Sequence, residues 1–333
     1  MSHNSSVYVG LFCLRYIIVI LDPEKSSESW APPKDWSMRL PDTIKECVCF
    51  LSVQYTGGPD AGKYRSIGTG LFVLVSESGW DFLYLITAKH VIDWAKKKNF
   101  TTLFARLNTQ DGSFKYIDVG FDWMRYTDNH DIDIAATPVP LPPHDFQYQA
   151  LPIRMIATDD KILHHGIGIG DDIFVAGLFS RREGSQRNRP IVRTGSIAAM
   201  PDESLPGKSG KRFMAYLIEL LSIGGLSGSP VFVYLDNQRC VDPKILDNKE
   251  WMFFLLGLVR GHWNLNDVEF TEAREHSLED DTPPGAKAER LNTGIAVVTP
   301  AQYIHTLLMS PVVQKTRHEF LDMKNKDNAP PSD

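Results

Sequence analysis

Short β-prone runs broken by turn residues, with almost no helical period between them, constrain this chain more than any other feature. From about residue 46, "CVCFLSVQY" (47–55) ends in Gly57-Gly58. "IGTGLFVLVS" (67–76) is followed by Glu77-Ser78-Gly79 and "WDFLYLITA" (80–88), which reads as a hairpin. "TTLFARL" (101–107) leads through an Asp111-Gly112 turn to "SFKYIDVG" (113–120), and only "VIDWAKKK" (91–98) looks helical. β-branched and aromatic residues suit a pleated, half-buried surface, and Gly, Asn and Asp supply tight turns, so the expectation is all-β and antiparallel.

The strongest internal boundary is "PVPLPPH" (138–144), because proline-dense chain forms neither a helix nor a central strand. Beyond it lie six further strand-like runs: "DDIFVAGLF" (171–179), "PIVRTGSIAAM" (190–200), "FMAYLIELLS" (213–222), "SPVFVYL" (229–235), "WMFFLLGLVRG" (251–261) and "TGIAVVTP" (293–300). Six runs are compatible with a second closed barrel. "PAQYIHTLLM" (300–309) predicts a closing helix with Pro300 in its first turn. The expected organisation is a first β-barrel over 38–137, a linker over 138–150, a second barrel with the helix over 151–310, and a polar, disordered tail over 311–333. With only that short polar tail after the helix, an appended PDZ-type module is not expected. Residues 263–290 read as an acid-rich surface loop.

Residues 1–37 are expected to be an extension outside the fold, with an over-called start codon as one origin. "VYVGLFCLRYIIVIL" (7–21) is short for a membrane span, Arg15 interrupts it, and neither a preceding basic residue nor a small-residue cleavage site marks a signal peptide. With 333 residues, 43% of them hydrophobic, the chain can bury a large core. A net charge of −6 gives no electrostatic reason to expect nucleic acid. Cys13, Cys47, Cys49 and Cys240 are too irregular for a disulfide framework or a zinc site. Cys47 and Cys49 are expected on one strand face as packing thiols. This favours a reducing, cytoplasmic location, with export or anchoring left open by the apolar N-terminus.

Three features carry polar groups suited to chemistry. "LITAKHVID" (85–93) ends a strand at His90, "DIDIAATPV" (131–139) sets Asp133 before a small-apolar strand, and "GGLSGSPVF" (224–232) places Ser227 between glycines. Each alone has an ordinary structural reading: a half-buried polar tip, a turn residue, a Gly/Ser turn before a strand. "HHGIGIGDD" (164–172) lacks the full phosphate-loop pattern and reads as a turn. The stretch Arg181 to Arg193 reads as a solvated face, with docking to an acidic partner as the alternative.

Together "GTGLFV", "TAKHV", "DIDIA" and "GLSGSP" resemble the trypsin/chymotrypsin-like serine peptidases, in particular the bacterial trypsin-like peptidase domains that lack the secreted enzymes' disulfides. The His, Asp, Ser order is that family's. "LLGLVRGHW" and "LNTGIAVVTPAQYI" are similar to the last strands and closing helix of such domains, so the resemblance covers about residues 45–309. It implies two six-stranded antiparallel barrels and a serine endopeptidase without metal or cofactor, acting on polypeptides through an acyl-enzyme. His90 would be general base and acid, Asp133 its orienting partner, and Ser227 the nucleophile. Gly225 and Ser227 amides would form the oxyanion hole. Asp131, Asp128 and His130 compete for the middle role; Asp133 is preferred because the family's acid directly precedes an apolar-Ala pair, and Asp131 is the fallback.

Two departures stand out. Leu226 occupies the place of the aspartate that pairs with a newly cut N-terminus in the digestive enzymes, so activation by that ion pair is not expected. Lys89 replaces the usual small residue before the histidine and is expected to face solvent. The resemblance puts the floor of the primary pocket at Leu221 and one wall near Val259, Arg260, Gly261 and His262, implying apolar or small P1 residues. The rival reading is a catalytically quiet protein of this fold that binds peptides or partners.

Overall fold

The computed structural model describes residues 7–8, 43–179, 182–206, 212–220, 225–235, 253–264, 271–272 and 292–327. The first half contains β1 (Val7–Tyr8), α1 (Thr43–Glu46), β2 (Val48–Gln54), β3 (Tyr64–Glu77), β4 (Trp80–Thr87), α2 (Lys89–Lys97), β5 (Phe104–Asn108), β6 (Phe114–Asp118), β7 (Met124–Tyr126), β8 (Ala135–Pro138) and β9 (Leu151–Pro152). There follow α3 (Asp159–His164), β10 (Asp172–Gly177), β11 (Ile191–Ala199), β12 (Leu205–Pro206), β13 (Arg212–Phe213), β14 (Tyr216–Glu219), β15 (Pro230–Tyr234), β16 (Phe253–Asn264), β17 (Thr271–Glu272), β18 (Asn292–Pro300), α4 (Gln302–Leu308) and α5 (Pro311–Asp327).

The hairpin expected around Ser78-Gly79 forms because both residues take positive φ, 51° and 78°, which matches a two-residue turn to the strand twist. Glu77 then faces Trp80 in register. The first sheet runs β1-β7-β8-β4-β3-β2-β5-β6, with β9 added parallel to β3. The second runs β15-β10-β11-β14-β18-β16, and a β15–β16 pairing closes it into a six-stranded barrel. These six strands correspond to the six runs read beyond the prolines, although Met214 and Ala215 divide "FMAYLIELLS" between β13 and β14. Among the described residues the pairings close into a ring only in this second sheet; in the first they form a path.

β3 and β4 are buried on both faces, which explains their continuous apolar sequence. Leu71, Val73, Val75, Phe82, Tyr84 and Ile86 point into one core and Phe72, Leu74, Leu83 and Leu85 into another, the period-two alternation of a strand. The first of these cores fills the seam between the sheets and includes Phe174, Phe232 and Leu255 from the barrel and Ile304, Leu307 and Phe320 from the last two helices. The second packs the first sheet against Val91, Ile92 and Ala95 of α2. A third fills the barrel.

The seam is also polar. Arg106 on β5, 2% exposed, donates to the Glu183 and Gly184 carbonyls and to Asn188 Oδ1. Asn188 Nδ2 donates back to the Arg106 carbonyl. Ser66 donates to Glu183, and Arg187 donates to Gln147. The inner side of the arginine-rich loop is therefore spent on the chain's own first sheet, because a buried guanidinium needs several acceptors. Arg182 and Arg189 remain exposed; Arg181 lies outside the described residues.

Three expectations are corrected. Val7 and Tyr8 are not outside the fold: they pair with Tyr126 and Arg125, satisfying the edge of β7. The rest of the apolar N-terminal run lies outside the described residues, as do Cys13 and Cys240. Cys47 precedes β2 and packs in the seam core, whereas Cys49 packs beneath α2, so the two thiols do not share a face. Burial pushes both thiols up. The tail after 310 is not disordered over 311–327 but forms α5, whose Val313, Phe320 and Leu321 are buried. Phe320 meets Trp80 and Phe82 edge-on at 5.5 and 5.8 Å. Of the acid-rich stretch, Asn264 ends β16 and Thr271–Glu272 is β17.

Arg317 anchors α5. It is fully buried; Nε donates to Glu77 Oε2 at 2.5 Å and Nη1 to the Leu308 carbonyl at 2.9 Å and the Tyr84 hydroxyl at 3.3 Å. Burial pushes the Glu77 carboxyl up, but Arg317 and His318 outweigh it and hold it below its ordinary value. A depressed folded pKa contributes stability above the unfolded pKa, about 4.3 for Glu, which is lost as pH falls through the lower folded value. Acidification from pH 7 to 3 is therefore expected to lower the melting temperature of the wild type more than that of Glu77→Gln. Identical acid profiles for the two proteins would contradict the assignment.

Candidate active site

The end of β4 and the start of α2 position His90. α2 has no side-chain cap at Ala88, leaving the first-turn amides in need of acceptors. Asp133, just before β8, supplies one: the His90 amide donates to Asp133 Oδ1 at 2.8 Å. The other carboxylate oxygen, Oδ2, accepts from the His90 ring at Nδ1, 2.7 Å away. A carboxylate can only accept, which puts the ring proton on Nδ1 and leaves Nε2 as an acceptor. Ser227 Oγ lies 2.9 Å from Nε2 and donates to it. His90 is 8%, Asp133 4% and Ser227 0% exposed, so the chain of bonds is shielded from bulk water.

Burial alone would push the Asp133 carboxyl up. The charge and N–H donors of His90, together with the Arg260 guanidinium, outweigh that cost and hold it below the usual carboxylate range. Arg260 is 3% exposed, donates through Nη1 to the Asp131 carbonyl at 2.6 Å, and lies 4.0 Å from the centre of the Phe213 ring. It thereby braces the segment that carries Asp133.

Ser227 sits on a turn held from both sheets. Its carbonyl accepts from the Thr69 amide at 2.9 Å, and the Gly228 amide donates to the Val259 carbonyl at 2.9 Å. Gly225 and Gly228 have φ of 99° and 79°, in the left-handed region that favours glycine. A Cβ at Gly228 would lie 2.3 Å from the Thr69 carbonyl oxygen. Leu226, between them in sequence, is buried in the barrel core. The amides of Gly225 and Ser227 make no hydrogen bond among the described residues.

The structure thus brings Asp133, not Asp131, to His90. Asp131 is buried and meets Arg260 through its main chain, while Asp128 and His130 are exposed. Of the proposed pocket, Leu221 lies outside the described residues. Val259 is wholly buried in the barrel core, and Arg260 is turned to Phe213 and Asp131. Gly261 and His262 pair with Glu272 and Thr271 along β16. Lys89 does not simply face solvent: its side chain is 16% exposed and ion-paired with Asp93 one helical turn on, at 2.5 Å. Sequence reasoning missed Thr69 and the bracing role of Arg260; the visible signals were a threonine inside the close-packed "GTG" and a lone cation in the apolar run "LLGLVRGHW".

A closed six-stranded barrel, a second β-sheet unit, a C-terminal helix and a His/Asp/Ser cluster at their seam make the architecture plain. The fold is chymotrypsin-like. No family model matches the chain, and no curated protein matches it. It is similar to solved structures of the HtrA-type protease AlgW. For a serine-to-alanine form with a tripeptide, identity is 12% and TM-score 0.43 over 82% of this chain and 62% of that one. For AlgW with a decapeptide, the values are 14%, 0.42, 83% and 66%. The chain therefore spans just under two thirds of the AlgW length. A Ser-to-Ala mutant of Rv3671c from M. tuberculosis H37Rv, in an inactive form, is 14% identical with a TM-score of 0.42, over 84% of this chain and 96% of that one.

Proposed function

We propose that this protein is a serine endopeptidase that uses His90, Asp133 and Ser227 as a catalytic triad. The reading rests on the continuous hydrogen-bond chain from Ser227 Oγ through the His90 ring to Asp133. In the acylation step, Ser227 Oγ attacks the scissile carbonyl carbon while its proton passes to His90 Nε2. The tetrahedral intermediate collapses with loss of the C–N bond, and His90 returns the proton to the leaving amine. Water then attacks the ester with His90 again as base. The C–O bond to Ser227 breaks, and the proton returns to Oγ.

Asp133 remains ionised throughout, fixing the Nδ1–H tautomer and stabilising the imidazolium. The Gly225 and Ser227 amides would donate to the developing oxyanion, each contributing on the order of 3 kcal/mol in the transition state. The substrate is a polypeptide, with apolar or small P1 residues preferred.

Active-site labelling with a fluorophosphonate tests this. The wild type is expected to label at a single site and Ser227→Ala not at all. A wild type that does not label, or a Ser227→Ala protein that labels equally, would favour a binding protein of this fold instead.

A further inference from the structure

With an apolar residue at 226, no charge is available there to order the nucleophile turn, yet Gly225 is held at a φ that glycine alone adopts readily. The groups holding it converge on one hydroxyl of the other sheet. Thr69 Oγ1, on β3, lies 3.3 Å from the Gly225 carbonyl oxygen, 2.9 Å from the Leu178 amide nitrogen and 3.0 Å from Ser229 Oγ. A hydroxyl has one proton and two lone pairs. The amide can only donate and the carbonyl can only accept, so Thr69 must give its proton to Gly225 and Ser229 must donate to Thr69. All three capacities are used, and Thr69 and Ser229 are both 0% exposed.

The surroundings are cut to fit this pair. A Cβ at Gly177 would lie 1.8 Å from Ser229 Oγ, and one at Gly225 would lie 3.1 Å from the Leu178 side chain. The backbone of Thr69 grips the same turn and the base at once. Its amide donates to the Ser227 carbonyl, and its carbonyl accepts from Thr87 Oγ1 at 2.8 Å, just before the helix that bears His90.

Building on the proposed peptidase reading, we infer that Thr69 is the positioning residue of the oxyanion hole, fixing the Gly225 and Ser227 carbonyls so that the amides of those residues are set without a cleaved N-terminus. Because Thr69 belongs to the first sheet and the turn to the barrel, the hole is assembled across the seam. A hydroxyl removed here displaces the donors without touching the His90–Asp133 pair.

The test compares Thr69→Val, which keeps the shape and loses the hydroxyl, with Thr69→Ser, which keeps the hydroxyl. Two quantities are read: the rate of fluorophosphonate labelling, and the downfield proton NMR signal of His90 Nδ1–H. Thr69→Val is expected to label about 10- to 100-fold more slowly, the scale for a misplaced oxyanion donor, with the imidazole signal retained. Thr69→Ser is expected to restore labelling to within about threefold of wild type on the same scale. Wild-type labelling by Thr69→Val overturns the inference, and so does loss of labelling together with the imidazole signal, which would reduce Thr69 to a general fold contact. A wild type that fails to label overturns this inference and the peptidase reading together, whereas the other two outcomes leave that reading intact.

Discussion

Asp133→Asn is expected to lower peptide hydrolysis by about ten-thousandfold, the magnitude associated with forcing the wrong histidine tautomer. An asparagine keeps a carbonyl oxygen for the His90 amide, so the fold is retained. Its amide group, however, would face Nδ1 as a donor and drive the ring proton to Nε2, where it blocks proton transfer from Ser227. Asp131→Asn is the discriminating control. Asp131 meets Arg260 through its main-chain carbonyl, which the substitution leaves in place, so a loss of less than about tenfold is expected, small beside the tautomer effect. The measurement is kcat on a cleaved peptide, with circular dichroism to verify folding. Equal losses in the two variants would remove Asp133 from the proposed role.

The largest effect on stability is expected at Arg317. Truncation to alanine strips Glu77 Oε2, the Leu308 carbonyl and the Tyr84 hydroxyl of a buried donor at one stroke. Breaking a buried ion pair from one side costs about 3–5 kcal/mol; because Glu77 keeps His318 and some solvent, the low end, about 3 kcal/mol, is expected. For a chain of 333 residues that corresponds to a melting temperature lower by about 4 °C. The double variant Glu77→Gln/Arg317→Met is expected to recover much of the loss, since an uncharged pair leaves no unpaired buried charge. A melting temperature unchanged in Arg317→Ala would show that α5 is not anchored by this residue.

Arg317 also explains why α5 was illegible in the sequence. The buried stripe of that helix runs through Val313, Arg317, Phe320 and Leu321, and the arginine occupies the slot where a helical period would show an apolar residue. The segment consequently reads as polar tail. The barrel strands were legible because each is a β-branched or aromatic run bounded by turn residues, and that local pattern coincides with the tertiary outcome. Val7–Tyr8 could not be read so: two residues carry no periodicity, and only the free edge of β7 gives them a partner.

The site divides in the same way. His90, Asp133 and Ser227 lie in motifs whose local chemistry is visible. Thr69 reaches Leu178, Gly225 and Ser229 across 109, 156 and 160 residues of sequence, and no local pattern encodes such contacts. The cysteines fail for a third reason. Alternation along a strand would place Cys47 and Cys49 together, but Cys47 stands in the turn before β2, where alternation does not hold.

The proline run at 138–144 looks from the sequence like a place to divide the chain, yet the seam denies the two halves any independence. β9, beyond the prolines, is laid alongside β3, the 183–188 loop is bolted to Arg106, and α5 rests on Trp80 and Phe82. A cut at the prolines would separate each half from parts of itself carried by the other. The two sheets are thus not interchangeable modules, and a substitution in the hairpin β3–β4 changes the ground on which the end of the chain stands.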